Sequence, residues 1–81
     1  MAKGGGTFRR NFNNAERSAF KTGVTVLWKD DRKWHKGRVV RAYTRDSTGA
    51  EYVTVMNTDK PTRNVDSGDT TRAYPGSVKK A

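Results

Sequence analysis

Cysteine is absent from the 81 residues of this chain. That removes disulfides, thiolate zinc sites and a cysteine nucleophile together. Secreted domains of this size usually depend on disulfides, so an intracellular setting, cytoplasmic or nucleoid-associated, is expected. The chain opens on Lys3, Gly4-Gly5-Gly6 and Arg9-Arg10 rather than on an apolar run, so a secretory signal is not expected. Nowhere do ~18 apolar residues follow one another, which argues against a membrane span or a membrane partner. Histidine occurs once, as His35, with no second imidazole to share a metal. Acids are scarce as well: 8 Asp and Glu stand against 17 Lys and Arg, a net charge of +9. Such an excess does not specify a fold, but it biases the choice of partner towards polyanions.

Catalytic signatures are missing too. Asp30-Asp31 is followed directly by Arg32 and Lys33, and adjacent side chains on a turn splay apart, so the pair reads as turn chemistry. Asp66 and Asp69 flank Ser67-Gly68 and read the same way. Gly4-Gly5-Gly6 lacks the spacing and the closing Lys-Ser/Thr of a phosphate loop. Nucleophile elbows, zincin motifs and dinucleotide fingerprints do not occur. The expectation is a non-enzyme with no cofactor and no metal. Catalysis would require a symmetric oligomer building one site from several copies.

Charge divides the chain into three parts. Residues 1–22 carry five basic groups and one acid, residues 23–74 ten and seven, residues 75–81 two and none. This pattern predicts a folded module between a flexible basic arm, 1–22, and a basic C-terminal tail, 75–81. The Gly-rich start, Met1–Thr7, is expected to be disordered. Phe8, Phe12, Ala15 and Ala19 follow at helical spacing, with Asn13 placed as N-cap and Glu16 three residues on, as in a capping box. A helix over 14–21 is too short to stand alone and needs Phe12 or Phe20 docked on the module.

From Gly23 the chain reads as strands. Val24 to Trp28 is β-branched and aromatic, with Val24, Val26 and Trp28 on one face. Residues 29–33 form a polar turn. A longer strand runs from Trp34 to Thr44, and its apolar set changes parity at Val39-Val40, which predicts a bulge or bend there or at Gly37. Gly49 closes a turn at positive φ. Glu51 to Met56 is the third strand, residues 62–66 a weak fourth, and residues 70–74 a closing strand or 3₁₀ turn, with Pro75-Gly76 ending the domain. The expected core is Val24, Val26, Trp34, Val39, Val53, Val55 and Val65. Short strands at this spacing predict an all-β fold, a small barrel or sandwich.

Gly23-Val24-x-Val26-x-Trp28, the polar turn, Trp34-x-Lys36-Gly37-Arg38-Val39-Val40 and Tyr52-Val53-x-Val55 together resemble the SH3-like barrels of the Tudor, Agenet and chromo-barrel type. The likeness covers residues 23–56 and is one of strand pattern. It implies a five-stranded barrel that binds peptides, often methylated, or nucleic acid. The aromatic and acidic turn that completes a methyl-lysine cage in the family has Met56-Asn57-Thr58-Asp59-Lys60 in its place, without an aromatic residue. The small plasmid-type dihydrofolate reductase is also a short chain with an SH3-like barrel. Its pore-lining Val-Gln-Ile-Tyr run is replaced here by Arg63-Asn64-Val65-Asp66, so its activity does not carry over.

The candidate binding residues follow from charge and rings. Arg9, Arg10, Arg17 and Lys21 lie in the arm, while Lys33, Lys36, Arg38, Arg41 and Arg45 lie along the second strand. On a regular strand Lys36 and Arg38 share one face and Arg41 and Arg45 the other, and a bulge could unite them. Trp28, Tyr43 and Tyr52 serve either as stacking rings for bases or as ordinary core and rim residues. The expected function is non-enzymatic binding of DNA or RNA through the phosphate backbone with aromatic stacking and little sequence preference. The alternative is a protein-interaction module, such as a phage-type regulator or adaptor, that holds a partner protein on the same aromatic patch.

Overall fold

The computed structural model describes residues 10–81. It contains one helix, α1 (Asn14–Ala19), and five strands: β1 (Thr25–Asp30), β2 (Lys33–Arg45), β3 (Glu51–Asn57), β4 (Thr70–Ala73) and β5 (Val78–Lys80). The strands form one antiparallel sheet in the order β4-β3-β2-β1-β5. The last strand therefore returns to pair with the first, an arrangement compatible with an SH3-like barrel. Among the described residues no helix is long and apolar enough to cross a membrane.

β1 and β2 are joined by Asp31 and Arg32, both at positive φ (50° and 65°), as a two-residue hairpin turn of matching twist requires. β2 carries two irregularities. Val39 pairs with Val55 and Arg41 with Thr54, so Val40 is an extra residue, a bulge at the expected place. A second bulge falls between Arg41 and Thr44, which pairs with Tyr52. Gly37 is not a bend. It pairs in register with Val26 and Asn57 and is buried so closely that a Cβ there would stand 2.5 Å from Val55 Cγ1 and 2.7 Å from Trp28 Cδ1.

Helix α1 has the expected N-terminus: Asn13 accepts the Glu16 N–H at 2.8 Å, and Glu16 accepts the Asn13 N–H at 2.9 Å. Phe12 and Phe20, ring to edge at 5.9 Å, bury themselves among Val26, Trp28, Val39, Val53, Val55, Val65, Ala73 and Val78. Residues 10–22 thus belong to the folded unit. The expected disorder of Met1–Thr7 and the place of Phe8 and Arg9 lie outside the described residues.

Further expectations are corrected, beginning with the helix, which ends at Ala19 rather than at residue 21, with Phe20 as its C-cap. The tryptophans exchange roles: Trp28 is 2% exposed in the core, whereas Trp34 lies on the opposite face, across from Lys29. The core takes the odd-numbered residues of β2, Gly37 and Val39, so Trp34 falls on the other parity, and Val24, ahead of β1, is exposed. Residues 62–66 form no strand. The buried Asn57 amide donates to the Lys60 and Val65 carbonyls at 3.0 and 3.2 Å, and Asp30 accepts from the Thr62 hydroxyl at 2.7 Å and the Asn64 amide at 2.8 Å. Side chains thus satisfy that loop where a ladder would have. Finally, Pro75-Gly76 does not end the domain. It turns the chain into β5, where Lys79 pairs with Leu27 and Lys80 with Val26.

Candidate nucleic-acid interface

Directly paired residues in an antiparallel ladder share a face. The face turned away from the core can therefore be read row by row. Lys29 and Trp34 form the first row, followed by Lys79, Leu27 and Lys36. Thr25, Arg38, Met56 and Thr70 make the third. Arg41, Thr54 and Arg72 make the fourth, and Thr44 with Tyr52 the last. Lys29, Lys36, Arg38, Arg41, Arg72 and Lys79 are all exposed, and no acid occupies a position in these rows.

Two carboxylates border the face. Asp59 accepts the Lys60 N–H at 2.8 Å and the Lys36 N–H at 3.3 Å, bonds that hold it below its ordinary pKa. Asp46 is held well below the usual range, first by the Thr48 hydroxyl at 2.6 Å. Its other partners are the Thr48 and Ala50 N–H groups and the Tyr74 hydroxyl at 2.9 Å. Both hold loops and both stay ionised, so Asp59 draws on Lys36 and Asp46 on Arg72 from the border of the face.

On the opposite side Glu51 is fully buried. It accepts the Phe12 N–H at 3.0 Å and faces Arg17 at 3.1 Å and Arg45 at 3.3 Å. Burial pushes its pKa up, but the Phe12 N–H and the two guanidinium groups outweigh that and hold it below the ordinary value. Arg10 grips Glu16 with two bonds, at 2.7 and 2.9 Å, and this contact lowers the acid's pKa.

The expected cations thus separate. Lys36, Arg38 and Arg41 come together on the outer face, because the Val40 bulge turns Arg41 to the side of Arg38. Arg10, Arg17 and Arg45 are held by carboxylates. Lys33 pairs with Asp30 at the hairpin end, Lys21 is exposed in the α1–β1 connection, and Arg9 lies outside the described residues. Lys29, Arg72 and Lys79 join the face without having been singled out. Strand parity with Thr25 and Leu27 was a signal for Lys29, while Lys79 needed the pairing of β5 with β1.

The rings separate as well. Trp28 is in the core, its indole N–H donating to the Lys36 carbonyl at 3.0 Å. Tyr52 is 8% exposed, beneath Arg72 at 4.5 Å. Tyr43 is 44% exposed, with Arg17 at 4.8 Å from its ring centre. Trp34, unforeseen, is a ring of the cationic face, with Lys79 at 4.2 Å and Lys29 at 5.8 Å. Among the described residues no cluster of His, Asp and Glu could hold a metal ion. No family model matches the sequence, and neither a curated protein nor a solved structure matches it.

Proposed function

We propose that this chain is a non-enzymatic nucleic-acid-binding protein that contacts the phosphate backbone with little sequence preference. The observation that carries this reading is the outer face: six exposed Lys and Arg side chains in four successive rows, with no acid among them. Clustered cations that neutralise phosphates release condensed counterions, which makes binding salt-dependent and sequence-tolerant. Lys and Arg here present no paired donors arranged around a groove-reading helix, so base discrimination has no visible instrument.

We read the sheet as an SH3-like barrel of the Tudor, Agenet and chromo-barrel kind. The return of β5 to β1 and the two bulges in β2 support this, since bulges bend and twist a strand as curling a small sheet requires. The loop after β3 carries no aromatic residue, so a methylated-peptide cage is not part of the reading.

The test is a titration with DNA and RNA oligonucleotides of unrelated sequence at two salt concentrations. Affinity should fall steeply as salt rises and vary little with sequence. Absence of binding at low salt, or affinity indifferent to salt, refutes the reading.

A further inference from the structure

We infer that the ligand of the cationic face is a double-stranded nucleic acid gripped through its backbones, and that Trp34, Tyr43 and Tyr52 hold cations rather than stack bases. This rests on the nucleic-acid reading above and narrows it.

Proteins that bind single strands without sequence preference combine a basic groove with open aromatic faces on which bases stack. Here Trp34, Tyr52 and Tyr43 each carry a cation. Lys79 Nζ stands 4.2 Å from the centre of Trp34, the Arg72 guanidinium 4.5 Å from Tyr52, and the Arg17 guanidinium 4.8 Å from Tyr43. Each lies inside the ~6 Å range of a cation–π contact. A base would have to displace the cation, and with it the charge that attracts the phosphate. Tyr52 has almost no exposed surface to offer. Tyr43 alternates with Thr44, which pairs with Tyr52, so it projects towards Arg17 and Glu51, away from the cationic rows. The rings act instead as shelves that fix long, flexible side chains in place.

The layout of the charges favours two backbones. Lys79 on β5 and Arg72 on β4 stand at opposite edges of the sheet, with the other four cations between them. Four inter-strand steps span at most ~19 Å before curling. That upper bound exceeds the ~6 Å minor groove and the ~12 Å major groove of a duplex, which leaves room, after curling, for cations to meet phosphates on both sides of a groove. A lone strand supplies one charge per ~3.4 Å along a single line, a duplex one per ~1.7 Å of its axis. An array without open rings gains most from the denser ligand.

The test uses the full chain with a 20-base-pair DNA duplex, an RNA duplex of the same sequence and the matching single strands, followed by anisotropy at constant low salt. At least one duplex should bind about five-fold or more tighter than its single strand, and the DNA and RNA arms show which duplex is preferred. Indole emission, read in the same titrations, should change little, because Trp34 is already occupied and Trp28 is buried. The variant Trp34→Leu keeps an apolar shelf without a stacking face. It should weaken duplex and single strand alike, by less than about three-fold, whereas stacking would cost the single strand selectively about ten-fold or more. Tighter or equal binding of single strands, or strong indole quenching by them, overturns this inference and leaves the broader one standing. If neither form binds at low salt, both fall.

Discussion

Arg38 and Arg41 share one face of the sheet although they are three positions apart in β2, because Val40 between them has no partner on β3. On an unbroken strand Arg41 would point to the core side. The bulge thus decides whether the fourth row of the cationic face exists.

The double variant Arg38→Ala/Arg41→Ala should weaken nucleic-acid binding about ten-fold near physiological salt. It should also make the log–log salt slope shallower by about two, since each phosphate contact contributes close to one. Lys60→Ala/Arg63→Ala, in the loop outside the rows, should leave the slope unchanged. Equal losses from the two pairs would show that overall charge, not the face, governs binding.

Glu51 joins the N-terminal segment to the sheet. Its pKa is lowered in the folded state, so its contribution is complete above the unfolded value and is lost as pH falls through the lowered one. Asp46 adds in the same direction, chiefly through Thr48. Urea midpoints should therefore hold steady near neutrality and drop below about pH 4. Glu51→Ala strands the buried Phe12 N–H and should cost about 2–3 kcal/mol at pH 7, with a flatter acid limb. Arg45→Ala should cost under about 1 kcal/mol, because that side chain is mostly exposed.

Gly37→Ala should destabilise the fold by about 2 kcal/mol or more. Its Cβ would meet Val55, Trp28 and the Met56 carbonyl, at 2.5, 2.7 and 2.9 Å, and a core and a backbone cannot both give way cheaply. A lowered denaturation midpoint with an unchanged slope against denaturant is the expected result. A variant as stable as the parent would mean that the indole and Val55 can move apart.

The β1–β2 turn holds two L-residues in the left-handed region. Replacing them together, Asp31→Asn with Arg32→Gly, should raise stability by about 1 kcal/mol, since Asn-Gly suits such a turn. Thermal or urea unfolding measures it, and no gain would mean that Arg32 makes compensating contacts.

Much was legible from local pattern. The alternation of Val26 and Trp28, the Asn13–Glu16 cap and the parity change at Val39-Val40 are signals within a few residues, and short-range sterics and hydrogen bonding act on that scale. Glu51 and Asn57 were not legible as hubs. Their partners lie up to 39 positions away, and nothing in a polar residue's neighbours announces that it will be buried.

The sequence by itself settled the charge excess, the absence of thiol chemistry, the β character and the helix cap, because composition and nearest neighbours determine those. Tertiary structure alone decided which tryptophan is core, that residues 78–80 complete the sheet, and which cations stand together. Those outcomes depend on register, and one extra residue or one returning strand moves a side chain to the other face.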